Sequence, residues 1–230
     1  MERPEASRAS LNLDAGASTR GSYALVLDAW APAWWEGWRV RATAGVVRQN
    51  RLGYYGLGND TRYVSDSVAL AGASFYRLSR TRLAARFTLE HQVLGPLRVL
   101  VGGGLVRTDF RVLPGRSVFR GDLDAGRVDS GTVPFTDRVV RTGVVLDTRE
   151  SELDPHQGVL VEALFASGTG YTRTTAHARV QMHPFRRLVL AGRLGAEGMG
   201  GRPPLAVLQD MEASELPFVS VGGYRSLRAY

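Results

Sequence analysis

Apolar and polar side chains alternate with a period of two over most of this chain, and helical spacing is scarce. Leu11, Leu13, Ala15 and Ala17 alternate with Ser10, Asn12, Asp14 and Gly16. Tyr23, Leu25 and Leu27 oppose Ala24, Val26 and Asp28; Trp38, Val40, Ala42 and Ala44 oppose Arg39, Arg41 and Thr43. Leu83, Ala85, Phe87 and Leu89 likewise face away from Ala84, Arg86, Thr88 and Glu90. Successive side chains of a strand point to opposite faces, so each segment has one oily and one polar side. The pattern predicts about ten strands: 9–18, 22–32, 37–48, 63–78, 82–93, 96–111, 138–149, 158–167, 171–183 and 186–197.

Strand length then separates two architectures. Several of these segments reach ten residues or more, whereas strands of soluble sheets usually run about five or six. A tilted strand crossing a bilayer needs about nine to eleven. The expected fold is therefore all-β: an antiparallel up-and-down transmembrane β-barrel in one domain over residues 1–230. Tight connections are predicted at Thr19-Arg20-Gly21, Ser79-Arg80-Thr81, Ser167-Gly168-Thr169-Gly170 and His183-Pro184-Phe185. Long ones are predicted over 49–62, 112–137 and 198–217. Three predicted strands lie between the first two long loops, which sets them on opposite rims. Barrels of this kind carry short turns on one rim and long loops on the other, so either a strand is miscounted or one long loop is periplasmic.

Charges inside strands follow the same logic. Arg86 and Glu90 share a face, as do Arg173 and Arg179, while Glu162 and Arg193 stand alone. An arginine at the bilayer midplane costs about 2–4 kcal/mol, so in a barrel these residues line the lumen. In a soluble antiparallel sheet they would form a solvated face.

Composition narrows the function. Hydrophobic residues make up 44% of 230, and no apolar run approaches the eighteen residues of a membrane-spanning helix. A β-barrel is compatible with that, since its lipid-facing and lumen residues average to a bland hydropathy. No cysteine is present, which excludes a disulfide scaffold and a thiolate metal site. The net charge of +7 rests on arginine alone, for the chain has no lysine. These arginines are scattered rather than clustered with aromatics on one element, which argues against nucleic acid as a partner. No basic, apolar and small-residue succession of a secretory signal opens the sequence, and the expectation is a fragment or a displaced start.

Three short motifs occur in order. Val145-Leu146-Asp147-Thr148-Arg149-Glu150 closes one strand and is followed by Asp154-Pro155-His156-Gln157-Gly158, which opens the next. Pro155 and Gly158 are turn chemistry: proline fixes φ and glycine permits a left-handed exit. Asp147 and Arg149, two apart, can form a charged network inside a rim or a plain surface pair. The chain ends in Gly222-Gly223-Tyr224-Arg225-Ser226-Leu227-Arg228-Ala229-Tyr230, and Tyr54-Tyr55-Gly56-Leu57-Gly58-Asn59-Asp60-Thr61 stands upstream. Together these resemble the DTR…P…G turn, the (V/L)RG(Y/F) lumen loop and the YGIGNDT segment of the bacterial surface antigen family, the BamA/TamA-type barrels of outer-membrane assembly. The resemblance covers roughly residues 37–230.

It implies an outer-membrane location and a role in inserting or translocating other polypeptides. The partners it implies are membrane lipid, unfolded outer-membrane polypeptides and periplasmic POTRA-type domains, none of which is visible in this sequence. It implies no cofactor and no catalysis. It also implies sixteen strands, so the expectation is a C-terminally truncated barrel, partial and not closed, lacking its last strands, its seam and the acidic lumen partner of Arg228. Ala229 departs from the family's glycine. Arg228 is either a lumen fork to a carboxylate or a solvated surface arginine.

Enzyme chemistry is not apparent. His91, His156, His177 and His183 lie on different segments, and His177 and His183 are about 20 Å apart at strand rise, too far for one metal. Gly102-Gly103-Gly104 and Gly56-Leu57-Gly58 fail the phosphate-loop spacings and read as close backbone approaches. Trp30, Trp34, Trp35 and Trp38 bracket one hairpin as an aromatic girdle at a rim, with Tyr54, Tyr55, Tyr63 and Tyr76 able to extend it. Two other functions stay open: a barrel anchoring a lipase-like hydrolase, and a soluble β-sheet ligand-binding protein.

Overall fold

The computed structural model describes residues 9–58, 61–152, 154–185, 188–208, 210–211 and 219–220. Nine strands form one antiparallel sheet in chain order. They are β1 (Ser10–Ala17), β2 (Tyr23–Trp35), β3 (Trp38–Gly53), β4 (Arg77–Leu94), β5 (Leu97–Val112), β6 (Phe135–Asp147), β7 (Gly158–Gly168), β8 (Tyr171–Phe185) and β9 (Leu188–Gly201). Among the described residues β1 and β9 each pair on one side only, so the up-and-down sheet is all-β, as its alternation predicts, and unclosed, as the expected strand number implies. Three short helices, α1 (Ser65–Ala71), α2 (Val118–Asp124) and α3 (Leu205–Leu208), lie in the connections. The pair β10 (Asp210–Met211) and β11 (Val219–Ser220) follows β9.

One predicted strand is absent. Residues 63–78 contain α1, and β4 begins only at Arg77. Val64 and Val68 sit four apart, a helical spacing, and Gly72, at φ +92°, ends the turn by donating its N–H to the Val68 carbonyl at 2.9 Å. The turn predicted at Ser79-Arg80-Thr81 consequently lies within β4. His183-Pro184 also lies within its strand; a register shift between Met182 and Phe185 accommodates the proline, which has no N–H for the ladder. With the strand removed, only β4 and β5 separate the long connections 54–76 and 113–134. They emerge on the same rim, which the segment after β9 shares. Of the two alternatives left by the strand count, a miscounted strand is the one that holds, and the two loops share a rim.

The two faces of the sheet differ in chemistry. On β4 the buried or half-buried face carries Arg80, Arg82, Arg86, Thr88 and Glu90, and the outer face carries Leu83, Ala85, Phe87 and Leu89. On β5 Arg98 and Thr108 face in, while Val99, Val101 and Leu105 face out. β7 and β8 repeat this with Glu162, Arg173, Thr175 and His177 inside and Val161, Phe165 and Val180 outside. Leu83 is 57% exposed and Val101 52%, whereas Glu162 is 2% exposed. Water-soluble sheets bury the oily side; here the covered side mixes charged residues with Leu100, Val106, Leu160 and Leu164, while large apolar side chains stand exposed on the outer side.

A small apolar core caps the concave face at the long-loop rim. Tyr54, Leu78, Phe110, Phe119, Val128, Leu205 and Ala206 pack together there, drawing on both long connections and α3. Arg82 of β4 and Arg173 of β8 donate to the Ala206 and Val207 carbonyls at 3.1 and 2.7 Å. One four-residue helix therefore touches strands four places apart, which requires the sheet to curl around it.

Candidate functional site

The Asp147-to-Gly158 motif builds the opposite rim. Asp147 ends β6, and Arg149 forks onto it with Nε–Oδ1 at 2.8 Å and Nη2–Oδ2 at 2.9 Å. Side-chain exposures of 4% and 2% make this a buried pair, the first of the two readings its spacing allows. Arg98 reaches the same carboxylate at 3.3 Å, Glu90 at 3.1 Å and Glu152 at 3.9 Å. Arg39 of β3 closes the chain of charges by bonding Glu152. Three arginines and three carboxylates from four strands and one turn thus interlock below the rim.

Gly158 explains why the motif ends in glycine. Its φ is +119°, and a Cβ there would lie 2.6 Å from Arg149 Cα and 2.8 Å from the Thr148 carbonyl oxygen. Pro155 lies half-buried in the intervening turn, where Glu150 accepts the backbone N–H groups of His156 and Gln157 at 2.6 and 3.0 Å. Partial desolvation pulls the Glu150 carboxyl upward, but these donors outweigh it and hold its pKa below the ordinary glutamate range. Gly158→Ala is expected to cost roughly 1–3 kcal/mol from the forced φ and close approach. Urea unfolding in detergent checks it; an unchanged midpoint would remove the backbone account of the motif.

Further along the concave face, glycines make room for arginines. A Cβ on Gly102 would sit 3.1 Å from Arg141 Nε, and one on Gly104 3.0 Å from Arg86 Cγ. Arg141 uses that space to cross β5 and bond Thr88 of β4. The Gly102-Gly103-Gly104 run is a close-approach element, not a phosphate loop. Glu162, isolated in the sequence pattern, lies 3.1 Å from His177 Nδ1 on the neighbouring strand. Arg193 faces the same side from the edge strand, opposite Arg179. His156 and His183 approach to 6.1 Å between ring centres, and no group of three or more potential ligands is placed to hold a metal among the described residues.

At the long-loop rim Tyr54, the first residue of the upstream motif, links the two long connections. Tyr54 is buried, and its hydroxyl donates to Asp122 Oδ2 at 2.7 Å. Arg127 donates to the other oxygen at 2.8 Å, so Asp122 ties both long connections together. Sequence reading passed over Asp122. The available signal was Ser117, whose Oγ caps α2 by accepting the Arg120 N–H and so places Asp122 on a helix. Burial and the adjacent Asp122 carboxylate push the Tyr54 pKa well above its ordinary value. The folded chain therefore holds Tyr54 protonated while an unfolded one ionises near pH 10. Stability from this group is present below about pH 10 and falls as pH rises beyond it. Tyr54→Phe should flatten that alkaline decline and cost about 1 kcal/mol at pH 7; parallel pH–unfolding profiles of the two chains would refute the assignment.

The tryptophans divide. Trp34 and Trp35 are exposed at the β2–β3 turn in an edge-to-face pair 5.8 Å apart, and Trp38 stacks on His91 at 4.2 Å on the outer side. Trp30 departs from the expected girdle: its register partner is Arg41, whose guanidinium lies 5.8 Å over its ring while bonding the inward Asp28. A strand residue two places after Asp28 must share its face. Tyr76 is buried, as is Tyr54, so of the four tyrosines expected to extend the girdle Tyr55 and Tyr63 are exposed. Gly222, Gly223, Leu227, Arg228, Ala229 and Tyr230 lie outside the described residues. No protein-family model matches this chain, and no curated protein matches it.

Proposed function

We propose that this chain is the barrel sheet of an outer-membrane protein of the surface antigen type, acting in the insertion or translocation of other polypeptides and not as an enzyme. The observation that carries the membrane half is the outer face: long strands expose large apolar side chains there, over a buried inner face that holds the strand charges among apolar residues. Contiguous exposed apolar surface of this size marks an interaction site, and acyl chains are the partner that suits a face present on every strand. Long connections gathered on one rim support placing that rim outside the cell. The assembly half rests on the motif resemblance, supported by the structural roles of Tyr54, Arg149 and Gly158. Client polypeptides would pair with an open sheet edge through main-chain hydrogen bonds; lipid and POTRA-type periplasmic domains are the other proposed partners.

Because the chain has no cysteine, single-cysteine spin labels can be placed cleanly along β5 in lipid vesicles. Oxygen accessibility should peak at positions 99, 101, 103 and 105 and fall at 98, 100, 102 and 104. A flat profile, or a stable monomer in water without detergent, would defeat the proposal.

A further inference from the structure

The apolar face is uneven in a way the barrel reading does not require. Ala44 and Ala85 are too small to fill the space between Leu25 and Leu27 on one side and Leu83 and Leu105 on the other. They floor a groove of about 520 Å3, within the usual range for a ligand site, and Arg107 stands at its mouth. The register sets Arg107 opposite Thr136 and Arg138 opposite Leu105, so the two arginines are diagonal neighbours on the outer face. Diagonal partners lie about 7–8 Å apart. Both are exposed, and neither makes a side-chain hydrogen bond or ion pair among the described residues. The next carboxylate on this face, Asp109, is already engaged by Arg111 at 3.0 Å.

Two uncompensated guanidinium groups thus stand where the apolar surface ends, on the long-loop side, over one end of an acyl-sized trough. Guanidinium forks match phosphate oxygens in pairs. We propose that the groove is a site for one anionic, phosphate-bearing lipid. Its acyl chain lies over Ala44 and Ala85, and its headgroup phosphate sits between Arg107 and Arg138. This rests on the membrane reading above and adds a specific lipid to it.

The chain is reconstituted in phosphatidylcholine vesicles containing a minor fraction of phosphatidic acid with the same acyl chains. Flotation reports insertion, and mass spectrometry of the gently extracted protein counts retained lipid. Phosphatidic acid should be retained over phosphatidylcholine. Arg107→Gln and Arg138→Gln should each lower that retention roughly fivefold, the effect of about one basic residue at a charged membrane surface. Ala85→Phe, which fills the groove, should lower it as well, and Arg116→Gln, in the connection, should not. Equal retention of both lipids, or equal losses in the Arg107 and Arg116 variants, overturns the site. So does full displacement by excess inorganic phosphate, which would assign the arginines to the free ion. In each of these cases the chain still floats with the vesicles; a wild-type chain that floats with neither composition overturns the membrane reading itself.

Discussion

Arg98→Met is expected to destabilise the fold by about 3–5 kcal/mol, the typical cost of removing one member of a buried charge pair. Arg98 is 8% exposed and touches Glu90, Asp147 and Glu152 at once. Asp147 keeps the Arg149 fork after the loss, and Glu152 keeps Arg39. Glu90 keeps no contact ion pair among the described residues, only the longer-range attraction of Arg39 opposite it in register, and at 7% exposure it cannot recover hydration. The penalty is therefore the unpaired Glu90 carboxylate more than the lost attraction. A double-mutant cycle separates the two. Arg98→Met combined with Glu90→Gln should recover most of the loss, because removing both charges leaves nothing stranded. Urea midpoints and slopes in detergent micelles give the free energies. A single-variant cost under about 1 kcal/mol, the scale of exposed pairs, would mean that water reaches this network.

That network shows what could be read from residues alone. The face of each strand was legible because burial follows parity: Leu83, Ala85, Phe87 and Leu89 fall on the outer side as the alternation requires. The Asp147–Arg149 contact was legible as a possibility, since residues two apart share a face. Its burial was not, because that depends on Arg98 and Arg39 arriving from strands some fifty and a hundred residues away. Glu162 looked isolated for the same reason; its partner His177 is set by the β7–β8 register. Residues 63–78 misled because apolar residues recur there without a steady period, and four of them fit a helical turn as well as a strand. The same extra strand is what sets the two long loops on opposite rims in the sequence pattern, and its absence brings them together. Trp30 is close to Trp34 and Trp35 in sequence, but the bulge between Ala31 and Trp35 breaks the parity that would relate them.

Parity also makes the membrane reading vulnerable to one substitution. Val101→Arg is expected to lower the inserted, folded fraction in vesicles by the equivalent of about 2–4 kcal/mol, the cost of arginine near the midplane of a barrel's lipid face. Val101 lies well inside β5, six residues or about 20 Å along the strand from Arg107 and four residues or about 13 Å from Leu97. An extended arginine side chain reaches neither end, so it cannot escape to the headgroups. Thr136→Arg, on the same outer face but level with Arg107, should cost only about 0–1 kcal/mol, as near-interface sites do. A sheet whose outer face met water would tolerate both changes within about 0.5 kcal/mol, as ordinary surface substitutions are tolerated. The contrast between the two positions, more than either value, distinguishes acyl chains from water. Equal effects at 101 and 136 would mean that Leu83, Phe87 and Val101 are covered by something other than a bilayer.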